Sequence, residues 1–292
     1  MRNHIVFLLS AALLLSGCGN SSSSSMTRRT IPSSESSQTP SSAPSSDTSE
    51  TPTSCAESES TSSEEEVRAS DLTAEQYSLF LQCFFQKRNS YDSYQAITAG
   101  KTATIVDQSI DVAVIKGKEY SYLYNHSKSF FLETAHTCYF HGEETLSKNK
   151  DDRDFALLDL NEYLDIYGVY PFENSLEGYE CSGQAILSIN KDSAGDNTIF
   201  TFNFDPEKAT TNVRIQMKKF GNLGDYPKFS SVKVSVTVQD DFTPVTIDVD
   251  TQYKAKMVFE ADCHQTYKVT YSRFNEEIEI PDLDKAKSHE GF

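Results

Sequence analysis

Val232-Lys233-Val234-Ser235-Val236-Thr237-Val238-Gln239-Asp240-Asp241-Phe242-Thr243-Pro244-Val245-Thr246-Ile247-Asp248-Val249-Asp250-Thr251-Gln252-Tyr253-Lys254-Ala255-Lys256-Met257-Val258-Phe259 is the most regular stretch of this 292-residue chain. Val232, Val234, Val236 and Val238 alternate with polar residues. After an Asp240-Asp241 turn, Val245, Ile247, Val249, Thr251, Tyr253, Ala255, Met257 and Phe259 take one face, and Thr246, Asp248, Asp250, Gln252, Lys254 and Lys256 the other. A period of two means a strand, and strict alternation means one wet face and one buried face. The second run would span roughly 50 Å if straight, and strands of that length coil. Tyr267, Val269 and Tyr271 continue the pattern on a third strand, so the unit is an antiparallel meander.

Working toward the N-terminus, residues 93–106, 109–116, 119–125, 129–134 and 136–141 read as strands with short turns. A hairpin joins 182–190 to 197–204 through Asp192 to Asp196. Helices interrupt the strands. Thr73 and Gln76 have the spacing of a capping box, and Tyr77, Phe80, Leu81, Phe84 and Phe85 then recur on one helical face. A second helix is expected over about 154–167, with Leu157, Leu160, Leu164 and Tyr167 on one side. Asp205-Pro206 is a good helix start, but Val213, Ile215 and Met217 alternate, so 205–219 stays open between helix and strand. A sheet with one apolar face needs cover, and the aromatic helix faces are the cover available. The expected class is α+β: a curved antiparallel sheet, a half-barrel, with two or three helices on its concave face.

Residues 1–66 differ in kind. After Phe7 no aromatic residue appears until Tyr77. A basic start at Arg2, an apolar run from Ile5 to Leu15 and the ending Leu15-Ser16-Gly17-Cys18 read as a secretory signal over 1–17. That ending resembles the bacterial lipobox, which implies cleavage before Cys18 and a diacylglyceryl group on its sulfur. Two or three acyl chains make a stable anchor, where one alone is marginal. Residues 18–66 are rich in Ser, Thr and Pro, lack core-forming residues and read as a disordered tether with a mean reach of roughly 35–40 Å. Such a tether after a lipobox is similar to surface lipoproteins of Gram-positive bacteria, and it places the protein on the outer face of the cell membrane. The folding portion is 67–292. The formal net charge of −17 makes the chain a poor candidate for binding nucleic acid or anionic headgroups by plain electrostatics.

The folding portion resembles the LolA-like lipoprotein fold, shared by the mycobacterial lipoproteins LppX and LprG. The features that carry the resemblance are the N-terminal helix, the Val-rich meander and the closing run Tyr271-Ser272-Arg273-Phe274-Asn275-Glu276-Glu277-Ile278-Glu279-Ile280-Pro281-Asp282. The resemblance implies a cavity for acyl chains between sheet and helices and a lipid or other hydrophobic ligand; the chain itself is expected to be a monomer. It supplies no site motif.

From the residues themselves, the candidate ligand contacts are Tyr77, Phe80 and Phe84 on the first helix, the stripe Tyr120, Tyr122 and Tyr124, and Tyr253 with Met257. The stripe reads more readily as ordinary packing under a helix. Cys83, Cys138, Cys181 and Cys263 permit two disulfides, with Cys138–Cys181 the preferred bridge because these two flank the helical insertion. His136, Cys138, His141 and the Cys263-His264 pair do not converge on strand geometry, so no metal is expected. Enzyme motifs are lacking. Ser147 to Lys150 and Ser230 to Lys233 match Ser-x-x-Lys only by spacing, one in a charged loop and the other running into a strand. The expectation is a binding protein without cofactor; the alternative is a surface interaction or sensory module with a filled core.

Overall fold

The computed structural model describes residues 67–104, 107–130, 133–167, 170–172, 175–220, 223–256 and 260–292. The expected signal, Cys18, the tether and Met257 lie outside the described residues.

Eleven strands form a single antiparallel sheet among the described residues: β1 (Tyr94–Ala103), β2 (Gln108–Lys116), β3 (Tyr120–Ser129), β4 (Glu133–His141), β5 (Glu144–Asn149), β6 (Ala156–Asp159), β7 (Ile186–Ala194), β8 (Asn197–Phe204), β9 (Lys228–Val238), β10 (Pro244–Lys256) and β11 (Glu260–Ser272). Their spatial order is β6-β5-β4-β3-β2-β1-β11-β10-β9-β8-β7, so the sheet is open, with β6 and β7 at its edges. The meander stands as β9–β11, with Ile247 opposite Val269 and Val236. The sequence reading differs in three places. The separate strands expected over 129–134 and 136–141 are one, β4, and β3 runs on to Ser129. Residues 144–149 form β5, because Thr145, Leu146 and Ser147 are buried between charged flanks. Residues 156–159 form the short edge strand β6, so the following helix begins later than expected.

The helices are α1 (Tyr77–Ser90), α2 (Leu160–Tyr167), α3 (Pro206–Ala209), α4 (Thr211–Phe220) and α5 (Leu283–Lys287). A 3-10 turn over Ala74–Gln76 leads into α1, and the Thr73/Gln76 capping box is formed, with Thr73 N donating to Gln76 Oε1 at 2.8 Å. Asp205 caps α3 through the Glu207 and Lys208 amides with Pro206 in the first turn, which makes most of 205–219 helix.

Cross-strand register assigns the faces. Phe202, Val234, Val249, Tyr267, Gly100, Ile110, Ser127 and Thr134 stand opposite one another in sequence across eight strands and share one face. We call it the inner face. Helices α1, α2 and α4 all pack there. Phe80 of α1 stacks on Phe200 at 4.2 Å between centroids and lies near Phe202 and Phe242. Val213 and Met217 of α4 join the same core. Tyr163 and Tyr167 of α2 close over Ile110, Val112, Leu123, Cys138 and Phe140. The opposite face of β2–β5 is also covered. Ile115, Tyr122, Tyr139 and Leu146 meet Ala286 of α5, with Ile278, Ile280, Leu283 and Phe292 around them. The Tyr139 hydroxyl donates to the Pro281 carbonyl at 2.9 Å.

Gly100 allows the middle of the sheet to close. A Cβ there would lie 2.3 Å from the Tyr267 Cβ and 2.5 Å from the Thr266 carbonyl oxygen. Neither neighbour is the loose end of a flexible chain. Gly100→Ala is therefore expected to lower unfolding free energy by about 2 kcal/mol, measured by denaturant titration.

Candidate functional site

The first helix brings an unexpected residue to the inner face. Arg88 continues the stripe of Phe80, Leu81, Phe84 and Phe85 by one turn, and it is 3% exposed. Its guanidinium lies over the Phe85 ring and interacts with Tyr271, Tyr94 and Glu177. Burial works against its charge, but these neighbours outweigh it, and the group is held protonated above its ordinary range.

Glu177 arrives from the connection between α2 and β7. Leu176 and Tyr179 form a β-bridge there, and Glu177 adopts a left-handed φ of 56°. This conformation is uncommon for a residue with a Cβ. Glu177 is partly exposed as a residue, yet its carboxyl faces Arg88, Tyr94, Tyr179, Tyr267 and Tyr271. Burial pushes it up to about 7, with Arg88 pulling the other way. Burial also raises the hydroxyls of Tyr94, Tyr179, Tyr267 and Tyr271. The arrangement is thus one guanidinium, one carboxyl that exchanges its proton near neutrality, and four neutral phenols. It can donate and accept hydrogen bonds, and perturbed groups of this kind gather at functional sites.

A second polar group lies under α2. His136 Nε2 is 2.9 Å from Ser147 Oγ and 3.3 Å from Cys138 Sγ, and Ser147 Oγ also contacts the Tyr167 hydroxyl. Burial lowers His136 to about 4 and raises the Cys138 thiol, so both are neutral at pH 7. Ser147 therefore belongs to a buried network on β5, while Lys150 pairs with Glu133 at the surface at 2.5 Å.

The residues expected from sequence scatter. Phe80 and Phe84 are fully buried and packed against Phe200, Phe202 and Phe242, so they are core and do not line an open groove. The Tyr77 hydroxyl crowds Gly183, whose missing side chain makes room for it. The stripe Tyr120, Tyr122 and Tyr124 lies on the other side of the sheet from the helix-covered inner face. Tyr120 stacks on His141 at 4.6 Å and lies beneath Lys287, and Tyr122 meets Tyr139. Only Tyr253 among the described candidates is on the inner wall, close to Thr102 and Cys263. Cys138 and Cys181 are not bridged. Cys138 points to His136 on β4, whereas Cys181 packs against the α1 core and donates to the Tyr179 carbonyl at 3.3 Å. No group of three His, Cys, Asp or Glu among the described residues is placed to hold a metal. Among the same residues no helix is long and apolar enough to cross a membrane.

Sequence reasoning missed Arg88 and Glu177. Arg88 carried a signal, since a charged residue inside an apolar helical stripe is either paired or functional. Glu177 carried none, because its position depends on a loop.

Two solved structures superpose in part. One is a LolA superfamily protein from Nitrosomonas europaea, 14% identical, with a TM-score of 0.28 over 73% of this chain and 97% of that one. The other is a DUF1329 family protein from Desulfovibrio piger, 6% identical, with a TM-score of 0.27 over 70% of this chain and 95% of that one. No family model matches the chain, and no curated protein does. With likenesses this distant, the functional reading rests on the residues above.

Proposed function

We propose that this protein is a lipid-anchored surface lipoprotein with a LolA-like domain that binds an amphiphile between the inner face of its sheet and the covering helices. The observation that carries the reading is the polar group set inside an otherwise apolar, aromatic interior: the Glu177 carboxyl and Arg88 guanidinium among Tyr94, Tyr179, Tyr267 and Tyr271. A core that served packing alone would be cheaper without ionisable groups. Mostly apolar walls with a few placed polar groups are the usual make-up of a ligand site. The anchor is the diacylglyceryl group on Cys18, and the tether holds the domain off the outer face of a Gram-positive membrane. The role is binding or carriage without catalysis or cofactor, by a monomer.

The test is to purify the full chain from bacterial membranes, extract it with organic solvent and analyse both fractions by mass spectrometry. The expected result is acyl chains on a peptide beginning at Cys18, and a stoichiometric amphiphile released from the folded domain. An unacylated N-terminus would remove the anchor, and a clean extract that rebinds no amphiphile would remove the carrier role. The close packing of Phe80, Phe84, Phe200 and Phe202 favours a second reading, a filled-core interaction module. Crosslinking that captured one protein partner, with lipid assays blank, would support it.

A further inference from the structure

The inner face carries a line of polar side chains that the fold answers only in part. Gln108 on β2 stands opposite Thr102 on β1, Thr102 opposite Gln265 on β11, and Gln265 opposite Thr251 on β10. These four residues form one row across four adjacent strands. Asn125 on β3 lies two rows away, opposite Val112 and His136. Exposure is 0% for Thr251 and Gln265, 1% for Asn125, 2% for Thr102 and 3% for Gln108, so bulk water does not reach them. Both amide atoms of Gln265, both of Asn125 and Oε1 of Gln108 have no hydrogen-bond partner, while Gln108 Nε2 donates to Ser127 Oγ and the hydroxyls of Thr102 and Thr251 have Tyr253 and Tyr179 beside them. The Tyr179 and Tyr267 hydroxyls lie close by. Tyr179 faces Thr251 and Tyr267.

Each such atom costs about 1–3 kcal/mol when left without a partner. Native proteins hold few of them, and here they gather on one wall. The next two rows on the same strands hold Ile110, Gly100, Tyr267 and Val249, then Val112, Thr98, Val269 and Ile247, mostly apolar, so the sheet could have carried apolar side chains here as well. Groups kept at this cost need a partner that the chain does not supply.

We propose that this row, together with Asn125, is the recognition wall for the polar part of the ligand, and that the ligand presents hydroxyl groups to Gln108, Gln265 and Asn125. The inference rests on the carrier reading and narrows it. A bare hydrocarbon chain would leave every one of these atoms unsatisfied. A polyhydroxylated amphiphile, with donors and acceptors together, matches amides that expose both Nε2 and Oε1 or both Nδ2 and Oδ1.

The experiment uses the full chain stripped of bound lipid, with two near-isosteric variants, Gln265→Met and Asn125→Leu. The probes are dodecyl glucoside and dodecanoate, below their micellar concentrations, read by calorimetry. The wild type is expected to bind the glucoside at least tenfold more tightly than dodecanoate. Each variant should lose tenfold or more for the glucoside, keep its dodecanoate affinity, and melt at a higher temperature than the wild type when empty. That rise follows because an unpartnered polar atom has been replaced by an apolar one. Equal affinity for both probes, with variants that change neither, would overturn the wall while leaving the carrier reading standing. A fall in melting temperature with binding unchanged would show that buried water alone satisfies these groups, and would likewise overturn it. A wild type that binds neither probe would bring down the carrier reading itself and the wall with it.

Discussion

Phe80→Ala is expected to lower unfolding free energy by about 4 kcal/mol. The side chain is fully buried. It meets Phe84 in its own helix, Phe200 and Phe202 on β8, and Phe242 at the β9–β10 turn. Removing it strips the contact that seats α1 on the sheet and leaves a void walled by rings. Rings supported by a β-sheet and by a turn residue at φ 64° have little freedom to collapse into that void. A domain has about 5–15 kcal/mol in all, so the variant should sit near its unfolding threshold at 37 °C. Phe80→Leu keeps most of the volume and should cost about 1 kcal/mol. Denaturant titration of the two variants checks the claim. A loss for Phe80→Ala below about 1.5 kcal/mol would mean that α1 is not seated through this residue.

Glu177→Gln is expected to stabilise the protein above pH 7 by about 2 kcal/mol and to change how stability depends on pH. The folded-state pKa is raised to about 7, against an ordinary value of 4.5. Between those values the folded chain keeps a proton that the unfolded chain releases. Wild-type stability therefore gains from Glu177 below pH 4.5, loses that gain as pH rises through 7, and is flat beyond. The full shift would convert to more, but Glu177 is partly exposed and solvent screens it, hence the smaller figure. His136 works in the opposite direction. Its pKa falls to about 4 from 6.5, so the folded chain refuses a proton that the unfolded chain accepts. Stability contributed by His136 is complete above pH 6.5 and disappears as pH falls through 4, a change of about 3 kcal/mol. Across pH 4.5–6.5 the two slopes oppose each other, and the variant should expose the one due to His136. Melting curves of wild type and Glu177→Gln from pH 4 to pH 8 would show it. Parallel curves would mean that the carboxyl is not enclosed among Arg88 and the tyrosines.

These two sites also mark how far the sequence could be read. Period-2 alternation is a direct record of one-sided burial, so β9 and β10 were legible almost residue by residue, and β11 through Tyr267, Val269 and Tyr271. The Thr73/Gln76 box and Asp205-Pro206 were legible because capping is local chemistry. The faces of β2–β5 were not. Alternation says which residues share a side and not what covers it, so Tyr120, Tyr122 and Tyr124 were read toward the ligand when the C-terminal segment covers them. A clue existed in Cys138-Tyr139-Phe140 and in Tyr122-Leu123, adjacent buried residues that betray a strand covered on both sides. Strand β5 was hidden by the charges that flank its buried centre. The polar row at Gln108, Thr102, Gln265 and Thr251 could not be read, because three of its four members fall where alternation leads one to expect an apolar residue and only cross-strand register joins them.

The order of the strands has a consequence for biogenesis. Among the described residues the first strand, β1, lies at the middle of the sheet and pairs with the last, β11, Gln95 against Ser272. A ribosome can release β1 to β6 as one ribbon and β7 to β10 as another, but the two cannot be stitched together until residue 272 has left the exit tunnel. Contacts so distant along the chain form slowly. The two ribbons would thus stay unlocked from each other until β11 has been made, and every partner that bridges them waits on that one strand.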